Sequence, residues 1–257
     1  MLPFYEFYLG EIKLSVPMYT LFSCIGAAFA MIIIYNRIAK IDGITFKKYL
    51  FLILLMVIGV ALGSKLLFII TIIPDIVNNW SLQYAFNRIV TAGFVFYGGL
   101  TGAIVGIYVF SKVCKIRFKT ISNVVCPALP AFHAFGRIGC LFAGCCYGKA
   151  ISAGFYHLYS ESDISRIPIQ LIESAFLVVI TILIFIIDKK KKYEIPLLLI
   201  YLIIYAVGRF IIEFFRGDTL RGIWLGLSTS QWVAIAYFMV SIMIIYKNKI
   251  RERIFEQ

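Results

Sequence analysis

Long apolar runs alternate along the chain with short polar connections. A run of about 20 apolar residues crosses the ~30 Å hydrocarbon core as a helix, because a helix satisfies its own backbone hydrogen bonds. The pattern predicts an all-α, polytopic integral membrane protein with seven transmembrane helices, forming one transmembrane domain over residues 1–257. The predicted spans lie near 17–36, 49–73, 93–111, 120–143, 168–187, 195–215 and 229–246.

Lysine and arginine are concentrated in every second connection. Sixteen of them follow spans one, three, five and seven, whereas six lie in the opposite connections. Because positive residues accumulate on the cytoplasmic side, this distribution predicts an outside amino terminus and a cytoplasmic carboxyl terminus. The pattern is typical of a multi-pass protein of the bacterial cytoplasmic membrane.

Composition supports this interpretation. The chain is 61% hydrophobic and its mean hydropathy is +0.92, so a soluble fold would expose too much apolar surface. The net charge of +12 does not indicate a nucleic-acid partner, because the basic residues punctuate apolar runs instead of covering one soluble face. The six cysteines fall mostly in apolar segments, so a disulfide framework is not expected.

Three cations lie inside predicted spans, at similar depth in the outer half of the membrane: Lys65, Arg137 and Arg209. A central lysine or arginine costs roughly 2.5–3.5 kcal/mol to insert, so such residues usually face the interior of a bundle. Three separate side chains that snorkel to the membrane surface are the structural alternative.

Span six carries a polar stripe. Tyr205, Arg209 and Glu213 are four residues apart and therefore share one helix face. The stripe is either an ion pair that stabilises packing, or a site in which Arg209 holds an anion while Glu213 fixes its orientation.

Glycines mark the outer ends of two spans. Gly136, Gly139, Gly144 and Gly148 follow one another at the end of span four, where they weaken the helix and allow close approach of a backbone or a lipid headgroup. At Gly98 packing between helices is the preferred interpretation.

Span five adds a buried carboxylate, Glu173, which needs a partner such as Lys65 or Arg137. Together these features predict a positively charged membrane cavity for an anionic phospholipid headgroup, because a guanidinium group binds two phosphate oxygens at once, in a bidentate manner.

These residues resemble the prolipoprotein diacylglyceryl transferase family, and the likeness covers most of the chain. Its strongest part is Gly136-Arg-Ile-Gly139, followed by Tyr205, Arg209 and Glu213 with Phe-Phe-Arg216. The remaining matches are Tyr19, Lys65 where the family usually has arginine, Gly98-Gly99-Leu100, Gly148, and Pro168-x-Gln170-Leu-x-Glu173.

The resemblance implies that phosphatidylglycerol gives its diacylglyceryl group to the lipobox cysteine of a preprolipoprotein and releases glycerol phosphate. It implies no cofactor and no metal, since the substrate supplies the nucleophile. Arg137 and Arg209 would stabilise the departing phosphate, and Glu213 would orient Arg209. The residues implied in substrate binding are Tyr19, Lys65, Tyr97, Gly98, Gly139, Cys140, Gly148 and Tyr205; among these, Gly139 and Gly148 would admit lipid and peptide backbones.

Three positions depart from the family pattern. Tyr97 replaces a histidine, Cys140 an asparagine and Cys145 an acidic residue. A tyrosine has an unperturbed pKa of about 10 and is a weak base, so the proton acceptor is left unidentified. Three alternatives stay open: a related transferase with another acceptor, a membrane thiol redox protein using Cys140, Cys145 and Cys146, and a non-catalytic lipid-binding protein.

Overall fold

The computed structural model describes residues 4–9, 12–78, 81, 83, 86–87, 95–151, 165–190, 195–217 and 222–255. The first residues of the predicted third span, 93 and 94, lie outside these ranges. An antiparallel hairpin of β1 (Phe4–Leu9) and β2 (Ile12–Pro17) precedes the first helix. The helices are α1 (Met18–Ile38), α2 (Phe46–Asn78), α3 (Phe96–Val113), α4 (Phe118–Val125), α5 (Ala128–Phe142), α6 (Ile169–Lys190), α7 (Leu197–Glu213) and α8 (Thr229–Phe255). A second hairpin, β3 (Ile223–Trp224) and β4 (Leu227–Ser228), lies before α8.

Six helical segments of the described chain are long and apolar enough to cross a membrane, which confirms a mostly helical, polytopic membrane protein. They are Met18–Ile38, Phe46–Ile73, Phe96–Val113, Phe118–Phe142, Ile169–Lys190 and Thr229–Lys249, and they match six of the seven predicted spans. Helix α7 covers most of the remaining predicted span but has 17 residues and is not among the six. The hairpins are an addition to the all-α prediction, since the aromatic residues of β1 favour extended backbone.

The fourth predicted span is divided into two helices. Helix α4 ends at Val125, and α5 begins after a turn at Cys126 and Pro127. A proline lacks an N–H and is tolerated before or within a first helical turn but not in a helix interior. The position of Pro127 therefore sets the start of the helix that carries Arg137.

Helix α2 has a lipid-facing side. Leu62, Leu66 and Ile70 follow one another at four-residue spacing, and each is 59–60% exposed. A water-soluble protein rarely exposes such a continuous apolar row, whereas lipid solvates it without penalty.

The chain divides into two compact units, residues 35–124 and the combination of 1–34 with 125–257. In the unit of residues 35–124, α2 packs on α3 through facing glycines. A side-chain carbon added at Gly102 would meet the backbone of Gly59, and one at Gly98 would meet the backbone of Gly63. Close backbone contact through small residues stabilises helix pairs in lipid, where no hydrophobic effect drives association.

In the other unit, α5, α6, α7 and α8 pack against one another in chain order. The Ser174 hydroxyl on α6 donates a hydrogen bond of 3.1 Å to the Ala134 carbonyl on α5. The inner faces of α5, α6 and α7 are buried and carry charged residues as well as apolar ones. This unit therefore contains most of the predicted site.

Candidate functional site

The centre of the site is a single carboxylate, Glu173 near the start of α6. It is 1% exposed, and Arg137 Nη2 donates to its Oε1 at 2.9 Å. Arg209 Nη1 donates to the other oxygen, Oε2, also at 2.9 Å. The Tyr205 hydroxyl donates to Oε1 at 3.3 Å. Two arginines from separate helices, α5 and α7, therefore converge on one carboxylate from α6. Of the two partners expected for Glu173, the structure pairs it with Arg137, and it adds Arg209.

The predicted stripe on α7 is present. Tyr205, Arg209 and Glu213 are 2%, 3% and 6% exposed. While Nη1 of Arg209 contacts Glu173, its Nη2 contacts Glu213 Oε2 at 2.8 Å. A planar guanidinium can serve two carboxylates at once because its donors point in fixed directions. Arg209 is thereby held in one orientation from both sides.

A helix cap positions Glu213. The Ser228 N–H donates to Gln231 Oε1 at 2.9 Å, and the Gln231 N–H donates to Ser228 Oγ at 3.2 Å. This reciprocal pair is a capping box at the start of α8. The Ser228 hydroxyl in turn donates to Glu213 Oε1 at 2.9 Å. The start of α8 therefore fixes the carboxylate that orients Arg209.

Arg137 lies on the last turns of α5 and is 8% exposed. One of its donors contacts Glu173, but Nε is buried without a hydrogen-bond acceptor among the described residues. A buried donor in this state loses about 1–3 kcal/mol relative to one that is hydrogen-bonded. An acceptor oxygen from outside the described residues would satisfy this donor.

Two of the glycines expected in the site, Gly139 and Gly148, have packing partners. A side-chain carbon at Gly139 would lie 3.1 Å from Tyr19 Cα, so the chain that Gly139 admits is the start of α1. Tyr19 itself is 47% exposed. Gly148 packs against the Ile167 backbone and forms an isolated antiparallel bridge with Arg216. In this structure both glycines therefore admit other parts of the same unit.

Arg216 belongs to the rim of the same cluster, since its Nη1 is 3.9 Å from Glu213 Oε2. Close to it, the loop after α5 brings together the sulfur atoms of Cys140, Cys145 and Cys146, all within 4.8 Å of one another. The Gln170 side-chain amide donates to the Cys145 carbonyl at 2.6 Å and holds this loop to α6.

Three of the predicted site residues belong to the unit of residues 35–124. Lys65 lies on α2, and Tyr97 and Gly98 lie at the start of α3. Tyr97 is 5% exposed. Gly98 contacts the Gly63 backbone, in agreement with the packing interpretation of that glycine.

Sequence reasoning did not assign His133, Ser228 or Gln231 to the site. His133 Nε2 lies 3.9 Å from Glu173 Oε1, and its ring meets the Tyr205 ring edge-on at 5.3 Å. Two signals were available: His133 precedes Arg137 by four residues and so shares its helix face, and Ser228-x-x-Gln231 has the spacing of a capping box.

The charges of the cluster favour an anionic ligand. Arg137, Arg209 and Arg216 provide three guanidinium groups against the carboxylates of Glu173 and Glu213. Buried charges are stable only when they are paired, so a negatively charged group beside Arg137 would complete the balance.

Comparison with known proteins points to one family. A family model described as prolipoprotein diacylglyceryl transferase matches residues 7–247. A phosphatidylglycerol–prolipoprotein diacylglyceryl transferase of Clostridium tetani is 32% identical over 202 residues, covering 77% of this chain and 79% of its own. A protein of Clostridium perfringens named phosphatidylglycerol–prolipoprotein diacylglyceryl transferase 2 is 33% identical over 205 residues, covering 78% of each. A Clostridium novyi transferase of the same name is 27% identical over 254 residues, covering 93% and 94%.

Proposed function

Because this chain belongs to the prolipoprotein diacylglyceryl transferase family, we propose that it transfers the diacylglyceryl group of phosphatidylglycerol to the lipobox cysteine of a preprolipoprotein. The observation that carries the proposal is the convergence of Arg137 and Arg209, from separate helices, on a buried site with an unused donor. An enzyme of this kind acts in lipoprotein biosynthesis and needs both substrates in or at the membrane.

Between heavy atoms, the reaction makes one bond and breaks one, and one proton is transferred. The lipobox thiol gives its proton to a base, its sulfur bonds to the glyceryl carbon, and the bond from that carbon to the phosphate oxygen breaks. Glycerol phosphate leaves with the bonding electrons. Negative charge therefore grows on the phosphate in the transition state, where fixed cations lower the barrier most.

Arg137 is the residue best placed to meet that charge. Its Nε is directed at no acceptor among the described residues, so a phosphate oxygen would take this hydrogen bond. Glu173 holds one guanidinium on each of its two oxygens: the nitrogen–oxygen distance is 2.9 Å to Arg137 and 2.9 Å to Arg209. Such preorganisation avoids the cost of moving dipoles during the reaction.

The other implied binding residues complete the proposal. Tyr19 and Tyr205 are assigned to headgroup oxygens; the Tyr205 hydroxyl proton, which Glu173 accepts in this structure, would have to turn to the lipid. Cys140 and Gly148 border the loop after α5. Lys65, Tyr97 and Gly98, on α2 and α3, are assigned to substrate binding in the same proposal. These roles follow from the family resemblance and are tested by substitution.

His133 is the proposed proton acceptor. Imidazole has an unperturbed pKa of about 6.5, which suits a base near neutral pH far better than the phenol of Tyr97. Its Nε2 is 3.9 Å from Glu173 Oε1, so this carboxylate partly offsets the neighbouring charges of Arg137 and Arg209 when the ring takes up a proton. His133→Gln should lower kcat at least tenfold and leave KM for phosphatidylglycerol within about twofold, whereas Tyr97→Phe should retain most activity.

The membrane arrangement is part of the proposal. Helix α7 has 17 residues, so at ~1.5 Å per residue it is about 26 Å long and reaches the lower limit for a span. With α7 as the seventh span, residues 1–257 form one transmembrane transferase domain with an outside amino terminus. The lysine and arginine distribution supports a cytoplasmic carboxyl terminus, and we assign the protein to the bacterial cytoplasmic membrane.

The test is a transfer assay with purified protein. In phosphatidylglycerol micelles, a peptide that contains a lipobox cysteine should gain the mass of one diacylglyceryl group while glycerol phosphate appears. A peptide with serine at that position should gain nothing. Arg137→Ala and Arg209→Ala should lower kcat/KM by about 10²–10³-fold, the size of effect seen when one transition-state donor is removed.

Arg117→Ala is the matched control, because Arg117 is an exposed arginine just before α4 and belongs to the unit of residues 35–124. It should leave kcat/KM within about twofold. A folded wild-type protein that transfers nothing, or equal activity in Arg137→Ala and Arg117→Ala, would refute the proposed function.

A further inference from the structure

The loop after α5 gathers three thiols in a small volume. One sulfur atom from each of Cys140, Cys145 and Cys146 lies within 4.8 Å of the other two. Cys140 is buried on the last turn of α5, Cys146 is intermediate and Cys145 is exposed. All three are free thiols. A ligand can therefore reach the cluster at Cys145 and be enclosed by Cys146 and Cys140.

The backbone of the loop produces this arrangement. Gly144 and Cys146 have positive φ angles of 71° and 60°, which turn the chain back on the end of α5. The Cys145 N–H donates to the Cys140 carbonyl at 3.2 Å, and Gln170 holds the Cys145 carbonyl at 2.6 Å. A non-glycine residue such as Cys146 adopts positive φ at a cost of roughly 1–2 kcal/mol, so the surrounding contacts must impose it.

The spacing of the sulfur atoms suits one metal ion. Zinc–sulfur bonds are about 2.3 Å, so three thiolates around one ion are separated by roughly 3.7–4.0 Å in tetrahedral or trigonal geometry. The sulfur atoms are now at most 4.8 Å apart, so small side-chain rotations that move each sulfur by less than about 1 Å would bring them to that distance. Thiolate ligands select soft ions, above all Cu⁺ and Zn²⁺.

Two cations of the arginine cluster lie near the proposed ligands. The guanidinium groups of Arg137 and Arg216 both act on the Cys146 thiol. Those guanidiniums also offset the excess negative charge that three thiolates place around a monovalent or divalent ion.

We propose that Cys140, Cys145 and Cys146 bind one thiophilic d¹⁰ metal ion, Cu⁺ or Zn²⁺, with three thiolate ligands. Each thiol releases its proton to solvent as the ion binds. The ion ties the loop to the end of α5, and through the Gly148 bridge it steadies Arg216 at the rim of the arginine cluster. The site goes beyond the proposed transfer, which uses the thiol of the substrate and no metal.

The test measures metal content and affinity with purified, reduced protein in detergent. After loading with Zn²⁺ or Cu⁺ in separate samples and desalting, the wild-type protein should retain one ion per chain by elemental mass spectrometry. Competition with a chromogenic chelator should give affinities that fall at least tenfold in Cys140→Ser, Cys145→Ser and Cys146→Ser. The arm that retains the ion more tightly identifies the preferred metal.

A triple variant with serine at Cys24, Cys114 and Cys126 is the matched control, since it removes as many thiols and leaves the cluster intact. It should bind one ion with wild-type affinity. If a cluster variant fails to fold, alkylation of the wild-type protein decides: Cys145 and Cys146 should react in the metal-free protein and be protected when the ion is bound.

Three results would overturn the proposal. They are no retained metal in folded wild-type protein, equal retention by the cluster variants, and thiols that purify as a disulfide which reductant opens without any gain of metal binding. Transfer activity is measured in parallel. Loss of metal binding with transfer intact would leave the proposed function standing, and the reverse would leave the metal site standing.

Discussion

Removal of the Glu173 carboxylate is the most informative perturbation of the site. In Glu173→Ala, Arg209 keeps Glu213 at 2.8 Å, but Arg137 loses the carboxylate that Nη2 contacts at 2.9 Å. At an effective dielectric of about 20, two unit charges 4 Å apart interact by ~4 kcal/mol. Measured losses for a buried pair with one partner removed are about 3–5 kcal/mol, because the remaining charge is left unpaired. We therefore expect Glu173→Ala to lower the free energy of unfolding by about 3–5 kcal/mol.

The assay is equilibrium unfolding in mixed micelles, with Tm as a second readout. A loss of ~1 kcal/mol shifts Tm by about 2–4 °C in chains of 150–250 residues, so the expected drop is roughly 6–20 °C. Asp42→Ala, which removes an exposed carboxylate, should change stability by less than about 0.5 kcal/mol.

A double-mutant cycle isolates the ion pair. If the cost of Glu173→Ala is the unpaired charge of Arg137, then adding Arg137→Ala should recover about 1–3 kcal/mol relative to the sum of the single effects. Additivity within about 0.5 kcal/mol would refute the reasoning, since it would mean that the two side chains do not share a buried interaction.

Three further predictions follow from the same structure. Arg209→Lys should lower kcat/KM at least tenfold although the positive charge is kept. One ammonium group cannot contact Glu173 and Glu213 together, as the two guanidinium nitrogens do. Wild-type activity in the transfer assay would contradict this. Ser228→Ala should lower the free energy of unfolding by about 1–2 kcal/mol, since it removes both the cap of α8 and a hydrogen-bond donor to Glu213. The control, Thr229→Ala at the next position, should lower it by less than about 0.5 kcal/mol. Gly102→Ala should destabilise the chain by more than ~1 kcal/mol, because the new carbon meets the Gly59 backbone. The control is Gly136→Ala, whose new carbon meets nothing within 4 Å; it should be neutral or stabilising. Equal effects of the two substitutions would show that α2 and α3 do not pack through Gly102.

Much of the fold is set by local pattern. Apolar runs long enough for a bilayer specify membrane helices because lipid leaves a backbone no other hydrogen-bond partners, and the helices begin and end within a few residues of the predicted bounds. Four-residue spacing likewise predicted that Tyr205, Arg209 and Glu213 share a face, since helical periodicity is a property of consecutive residues. The division of span four also has a local cause in Pro127.

The partners of the buried charges required the tertiary structure. From sequence, Glu173 had two candidate cations as partners, Lys65 and Arg137. The packing of α5, α6 and α7 gave it Arg137 and Arg209. Ser228 and Gln231 join the site only because the start of α8 packs against the end of α7, and three cysteines become one cluster only because the loop after α5 turns back at Gly144 and Cys146. Periodicity fixes which residues share a helix face, whereas the choice of the facing residue depends on contacts between segments far apart in sequence, and no local pattern encodes those contacts.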